Sequence, residues 1–83
     1  MTKSAITIAD RIARAQPALS RTQHKMAEYV LAHQFRAATM TIDEFAVAVG
    51  VSVATANRFA RALDLPGYPQ FRAVLARGFV AAL

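Results

Sequence analysis

Residues 41–63, TIDEFAVAVGVSVATANRFARAL, constrain the fold of this chain more than any other stretch. Thr41 followed three residues on by Glu44 is a reciprocal capping signal that opens a helix, and apolar spacing carries that helix from Ile42 to Val49. Gly50 stands where a helix ends in the left-handed conformation, which glycine reaches without a Cβ penalty. Ser52 then caps a second helix, Val53 to Leu63. Two short helices joined by so tight a turn have to cross closely and share one buried seam.

The apolar residues fall where that seam needs them. Phe45, Ala46 and Val49 face inward from the first helix, Val51 plugs the turn, and Ala56, Phe59, Ala60 and Leu63 form the inward stripe of the second at i, i+3, i+4, i+7. Ala46 is small where the helices cross. At about 100° per residue the opposite face follows: Ala54, Arg58 and Arg61 lie on the outward line, Thr55 and Asn57 flank it, and Ser52 sits at the start. This is the pattern of a helix-turn-helix that lays its second helix in the DNA major groove. The residue types suit that task. Arginine chelates guanine, asparagine chelates adenine, serine and threonine meet bases or phosphates, and a small alanine admits the helix deeply or touches a thymine methyl. Backbone N–H groups near Ser52 can hold a phosphate. A polar outer face by itself is what any surface helix shows. The glycine turn, the small crossing residue, the apolar spacing and an outer face without acids occur together here, and jointly they favour DNA.

The rest of the chain reads as helix too. Thr7 with Asp10 caps a first helix whose stripe is Ile8, Ala9, Ile12 and Ala13; Pro17 stops it. Ser20 with Gln23 opens a second, Arg21 to about His33, burying Met26, Ala27, Val30 and Leu31. Residues 34–40 form a connector with room for one helical turn around Phe35. After Asp64, Pro66-Gly67 is a turn signal. Pro69 suits the first position of a last helix that buries Phe71, Val74, Leu75 and Phe79. The expected architecture is all-α: a five-helix bundle containing a homeodomain-like helix-turn-helix, without a wing, as one domain over residues 1–83. Tyr68 and Arg72 are added to the contact list as phosphate candidates, and Lys25 after them.

At 83 residues the chain builds one small domain with a thin core. It is 55% hydrophobic, with many alanines, which favour helix but bury little area. The formal net charge is +5, which favours polyanions through counterion release. The charge is unevenly spread: residues 1–36 carry a net +4, residues 37–52 a net −2 from Asp43 and Glu44, and residues 53–63 a net +2 from Arg58 and Arg61. The acids sit at the start of a helix, where the macrodipole favours them, and the outer face of the second motif helix is left cationic. There is no cysteine, which excludes disulfides, cysteine zinc sites and thiol nucleophiles. No apolar run is long enough to span a membrane, and the N-terminus lacks the core and cleavage site of a signal peptide. His24 and His33 fall on opposite sides of one helix, unlike a metal pair at i, i+4. Ser20, Thr41 and Ser52 read as caps rather than nucleophiles. No enzyme, cofactor or metal is expected, and the location expected is cytoplasmic.

The stretch from Met40 to Arg72 resembles the N-terminal DNA-binding domain of the RpiR family of bacterial transcriptional regulators. The resemblance is carried by Met40-Thr41-Ile42, Ala46, Gly50-Val51-Ser52, Thr55, Arg58-Phe59, Leu63, Gly67-Tyr68 and Phe71. Upstream, Leu19-Ser20 through Ala27 and Tyr29-Val30-Leu31 are similar to the family's preceding helix, so the likeness runs from about residue 6 to residue 77. Phe45 stands where leucine is usual, Ala56 where valine is common, and Asp64 where glycine is common. The resemblance implies a regulator of carbohydrate metabolism that acts on palindromic operators as a dimer or higher oligomer. It also implies a second domain that binds a phosphorylated sugar and is absent from these residues; the apolar end GFVAAL looks like a cut. Double-stranded DNA is therefore the expected partner. A homodimer is expected from the thin core and the apolar ends at Ile6, Ile8 and Phe79–Leu83. The competing reading is a small helical dimerisation or protein-interaction module that ignores DNA.

Overall fold

The structure, a computed structural model, describes residues 7–82, with side chains as far as Gly78. Six α-helices follow one another among the described residues: α1 (Ile8–Ala15), α2 (Arg21–Ala32), α3 (Gln34–Ala38), α4 (Ile42–Val49), α5 (Val53–Ala62) and α6 (Tyr68–Ala82). A 3-10 turn, Gln16–Ala18, holds Pro17 after α1. The all-α class stands, and the count rises by one. The connector expected to hold a single turn is the separate helix α3, set off from α2 by His33 at φ −135°.

The helix starts follow from local chemistry. Thr7, Ser20 and Thr41 each accept the backbone N–H three residues on, and Asp10, Gln23 and Glu44 each return a bond to the capping residue's own N–H. Each pair satisfies two of the donors that a helix N-terminus leaves without partners.

The two motif helices end alike. Beyond α4, Val51 N–H bonds the Ala46 carbonyl at 2.9 Å and Gly50 N–H bonds Val47 at 3.2 Å. Beyond α5, Leu65 N–H bonds Ala60 at 3.2 Å and Asp64 N–H bonds Arg61 at 2.9 Å. Both sets are the paired closure of a Schellman motif, which requires a left-handed residue at its corner. Gly50 takes φ 72° and Asp64 takes φ 66°. Aspartate thus fills a corner where glycine is common, as one of the few side chains that tolerate it.

The core is built around aromatic rings. Phe45 of α4 lies 5.7 Å from both Tyr68 and Phe71 of α6, 6.4 Å from Phe59 of α5 and 6.2 Å from Tyr29 of α2, centroid to centroid. Met26, Val30, Leu63 and Leu75 close round them, fully buried. The expected inward stripes of α5 and α6 are buried as far as their side chains are described: Ala56, Phe59, Ala60, Leu63, Phe71, Val74 and Leu75.

Two stripes are narrower than expected. Ala9 and Ala13 are exposed, so the buried apolar stripe of α1 is Ile8 and Ile12, with Ala15 packed against the core at its end. Leu31, expected in the core, is 43% exposed. The short α3 follows α2 at once and packs on α6, so it covers less of α2 than a long helix would. Ile8 is buried within the domain and so is not a free apolar end. Ile6 and the side chains of 79–83, Phe79 among them, lie outside the described residues.

Candidate nucleic-acid interface

The second motif helix is held from three sides. Its inner stripe seals against α4 and α6. Its start is capped by Ser52, whose Oγ accepts Thr55 N–H at 3.1 Å. Its end is held by Arg11 of α1, whose Nη1 donates to the carbonyls of Leu63 at 3.2 Å and Asp64 at 3.4 Å. A guanidinium at a helix C-terminus meets both the free carbonyls and the negative end of the dipole. Arg11 was missing from the sequence-based list. The contact spans 52 residues, and no local pattern announces it.

With α5 fixed, its outer face is defined. Ser52, Ala54, Arg58 and Arg61 are exposed. Thr55 is half-buried; its Oγ1 accepts from the Ser52 hydroxyl at 2.9 Å and from Arg58 Nη2 at 3.4 Å. The three side chains form a short polar chain that draws the Arg58 guanidinium toward the N-terminal end of α5. Val53, not among the expected contacts, is 42% exposed at the first helical position. Lys25 on α2 is exposed as well.

Three expected contact residues are placed differently. Tyr68 is 4% exposed, and its hydroxyl donates to the Met40 carbonyl at 3.0 Å and, less closely, to Thr41 at 3.4 Å. It ties α6 to the start of α4, so the expected phosphate contact is corrected to a buried strut. A tyrosine read from sequence offers a polar tip; here the ring fills the core and the tip finds a carbonyl. Asn57 is half-buried, and its Oδ1 accepts Tyr68 N–H at 3.1 Å, so its carbonyl end faces α6 rather than solvent. Arg72 is half-buried with Nε donating to the Ala38 carbonyl at 3.4 Å, which ties α6 to the end of α3.

Burial pushes the Tyr68 phenol up to about 12, a net rise that Arg72 opposes and Glu44 supports. An ordinary tyrosine loses its proton near pH 10. Between these values the unfolded chain binds fewer protons than the folded one, so stability falls as pH rises. The Tyr68 contribution is therefore complete below pH 10 and lost as pH rises through about 12. Denaturant melts across that window are expected to show the decline in the wild type and a flatter profile in Tyr68→Phe. Equal slopes would place the effect elsewhere.

Among the described residues no group of three or more His, Asp or Glu side chains could hold a metal ion, and no helix is long and apolar enough to cross a membrane. His33 is exposed and stacks 4.7 Å from the Tyr29 ring.

Residues 6–81 match the family described as the helix-turn-helix domain, rpiR family. The chain is similar to the HTH-type transcriptional regulator HexR of Escherichia coli K12, 39% identical over 59 residues, which is 71% of this chain and 20% of the relative. It is also similar to the protein of the same description from Pseudomonas aeruginosa, 33% identical over 63 residues, 76% of this chain and 22% of the relative. The chain thus spans about a fifth of the length of the curated relatives it matches.

Proposed function

This chain belongs to the rpiR family of helix-turn-helix domains, and we propose that it binds duplex DNA sequence-specifically for a transcriptional regulator, with α5 in the major groove. The carrying observation is the outer face of α5. Ser52, Ala54, Arg58 and Arg61 stand exposed with no acid between residues 53 and 63, while Phe59 and Ala60 behind them are sealed. Ser52, Ala54, Thr55 and Arg58 lie nearest the helix start, the part that meets base edges in such units. Arg61 lies farther along and meets a phosphate. Arg72 and Lys25 serve at most as outer phosphate contacts.

The test is a titration of duplexes selected from a randomised pool, repeated over a range of salt. A groove binder that neutralises several phosphates loses affinity along a log–log slope of about −0.9 for each. No duplex binding in dilute buffer, or binding indifferent to salt, would sink the proposal and favour a protein-interaction module.

The same reading extends to a homodimer on a two-fold operator, with recognition helices about 34 Å apart. The exposed Leu31 offers apolar surface for such an association. Control by a phosphorylated sugar, a role in carbohydrate metabolism and a cytoplasmic location belong to the whole regulator and are proposed on the strength of the family.

A further inference from the structure

Asn57 is the one polar residue of α5 whose side chain holds the start of another helix. Its Oδ1 accepts Tyr68 N–H at 3.1 Å. That N–H belongs to the first residue of α6, where helical donors have no partner within their own helix. Gly67 is shaped to the same contact: a Cβ built there would stand 3.2 Å from Asn57 Oδ1 and 3.5 Å from Gln70 Oε1. A Cβ at residue 67 would press on the amide oxygen, which would have to give by a few tenths of an ångström. From Tyr68 the linkage continues, since its hydroxyl donates to the Met40 carbonyl at 3.0 Å, just before the Thr41 cap of α4. One side chain therefore joins the middle of α5 to α6, and through Tyr68 to the start of α4.

We propose that Asn57 is a positioning residue that sets the pitch of α5 on its supports, and that it does not read adenine. The proposal rests on α5 being the helix that enters DNA. A paired adenine contact needs the amide oxygen to accept from N6 while the amide nitrogen donates to N7, both in the plane of the base. The oxygen of Asn57 is turned toward α6 and engaged there, so laying the amide flat on an adenine would cost that bond. The Gly67-Tyr68 pair then has a definite purpose. Glycine makes room for the amide oxygen, and tyrosine supplies both the N–H that anchors it and the hydroxyl that passes the constraint to α4.

The experiment compares the 83-residue chain with its Asn57→Ala, Asn57→Asp and Gly67→Ala variants. One readout is hydrogen exchange at the Tyr68 amide. The other is the base preference at each operator position, from selection on randomised duplexes. Asn57→Ala and Gly67→Ala attack one hydrogen bond from its two sides, so both are expected to speed Tyr68 exchange at least tenfold. Both are also expected to flatten preference across several base pairs at once. Asn57→Asp keeps an acceptor in place, so it should keep Tyr68 protection and the preference pattern. Its added negative charge should weaken all sequences by a similar factor. Loss of preference for adenine at a single base pair in Asn57→Ala, with the rest intact, would overturn the proposal. So would unchanged exchange in that variant, or an Asn57→Asp protein whose pattern is lost. If Asn57→Ala does not fold, Gly67→Ala and Asn57→Asp carry the comparison. A wild type that selects no duplex refutes DNA reading by α5, while the exchange data still decide whether Asn57 holds α6.

Discussion

Phe45→Ala is expected to leave little folded protein at moderate temperature, while Phe45→Leu folds. The ring sits fully buried with four aromatic neighbours on three other helices, so its removal opens a void that no single helix can move to fill. Such truncations cost about 3–5 kcal/mol. Small domains lie at the low end of the usual stability range of about 5–15 kcal/mol, and many of the other core residues here are alanines that add little buried area. In a chain of this length the loss corresponds to a fall in Tm of at least roughly 12 °C. Leucine retains most of the volume, and a swap between large apolar residues usually costs under about 1.5 kcal/mol. Thermal melts followed by far-UV circular dichroism separate the cases. An alanine variant that melted with the wild type would mean that the core is organised around Phe59 and Phe71 without it.

The features legible in the sequence are those whose cause lies within a few residues. Thr41 and Glu44, Ser20 and Gln23, and Thr7 and Asp10 announce their helices because each bond closes over three residues. Gly50 announces its turn because a left-handed corner admits few residue types. The outer face of α5 is legible because a single helix fixes the phase of Ala54, Arg58 and Arg61 once Phe59 is turned inward. What escaped depends on distant chain. Helix α3 is five residues long, too short for a periodicity to stand out. Leu31 has the spacing of a core residue, but its exposure depends on where distant helices pack. The roles of Asn57, Tyr68 and Arg11 come from bonds spanning 11, 28 and 52 residues. Read from sequence, Asn57 and Tyr68 go to DNA and Arg11 has no role, and each of the three bonds a helix end or a backbone carbonyl.

Arg58→Ala and Arg61→Ala are expected to fail differently. Along a rod rising about 1.5 Å per residue, Arg58 stands about 7.5 Å from Val53 and Arg61 about 12 Å. Arg58 is also drawn toward the start of the helix by its contact with Thr55 Oγ1, the end that would enter the groove in the proposed docking. Its loss removes a fork that can engage both acceptors of one guanine, at a cost of about 1–3 kcal/mol and with preference relaxed at that base pair. Lysine cannot replace it, because a single ammonium lacks the planar pair of donors. In the docking proposed above, Arg61, one turn farther on, would face the phosphates as the helix leaves the groove. Its loss should weaken every sequence by a similar factor and lower the salt slope by about one. Both side chains are exposed, so neither change should move the stability by more than about 0.5 kcal/mol, and weakened binding cannot be ascribed to unfolding. Titrations of selected and scrambled duplexes at several salt concentrations distinguish the two residues. If Arg58→Ala weakened both duplexes equally while Arg61→Ala lost the preference, α5 would lie in the groove the other way round, with its C-terminal end innermost.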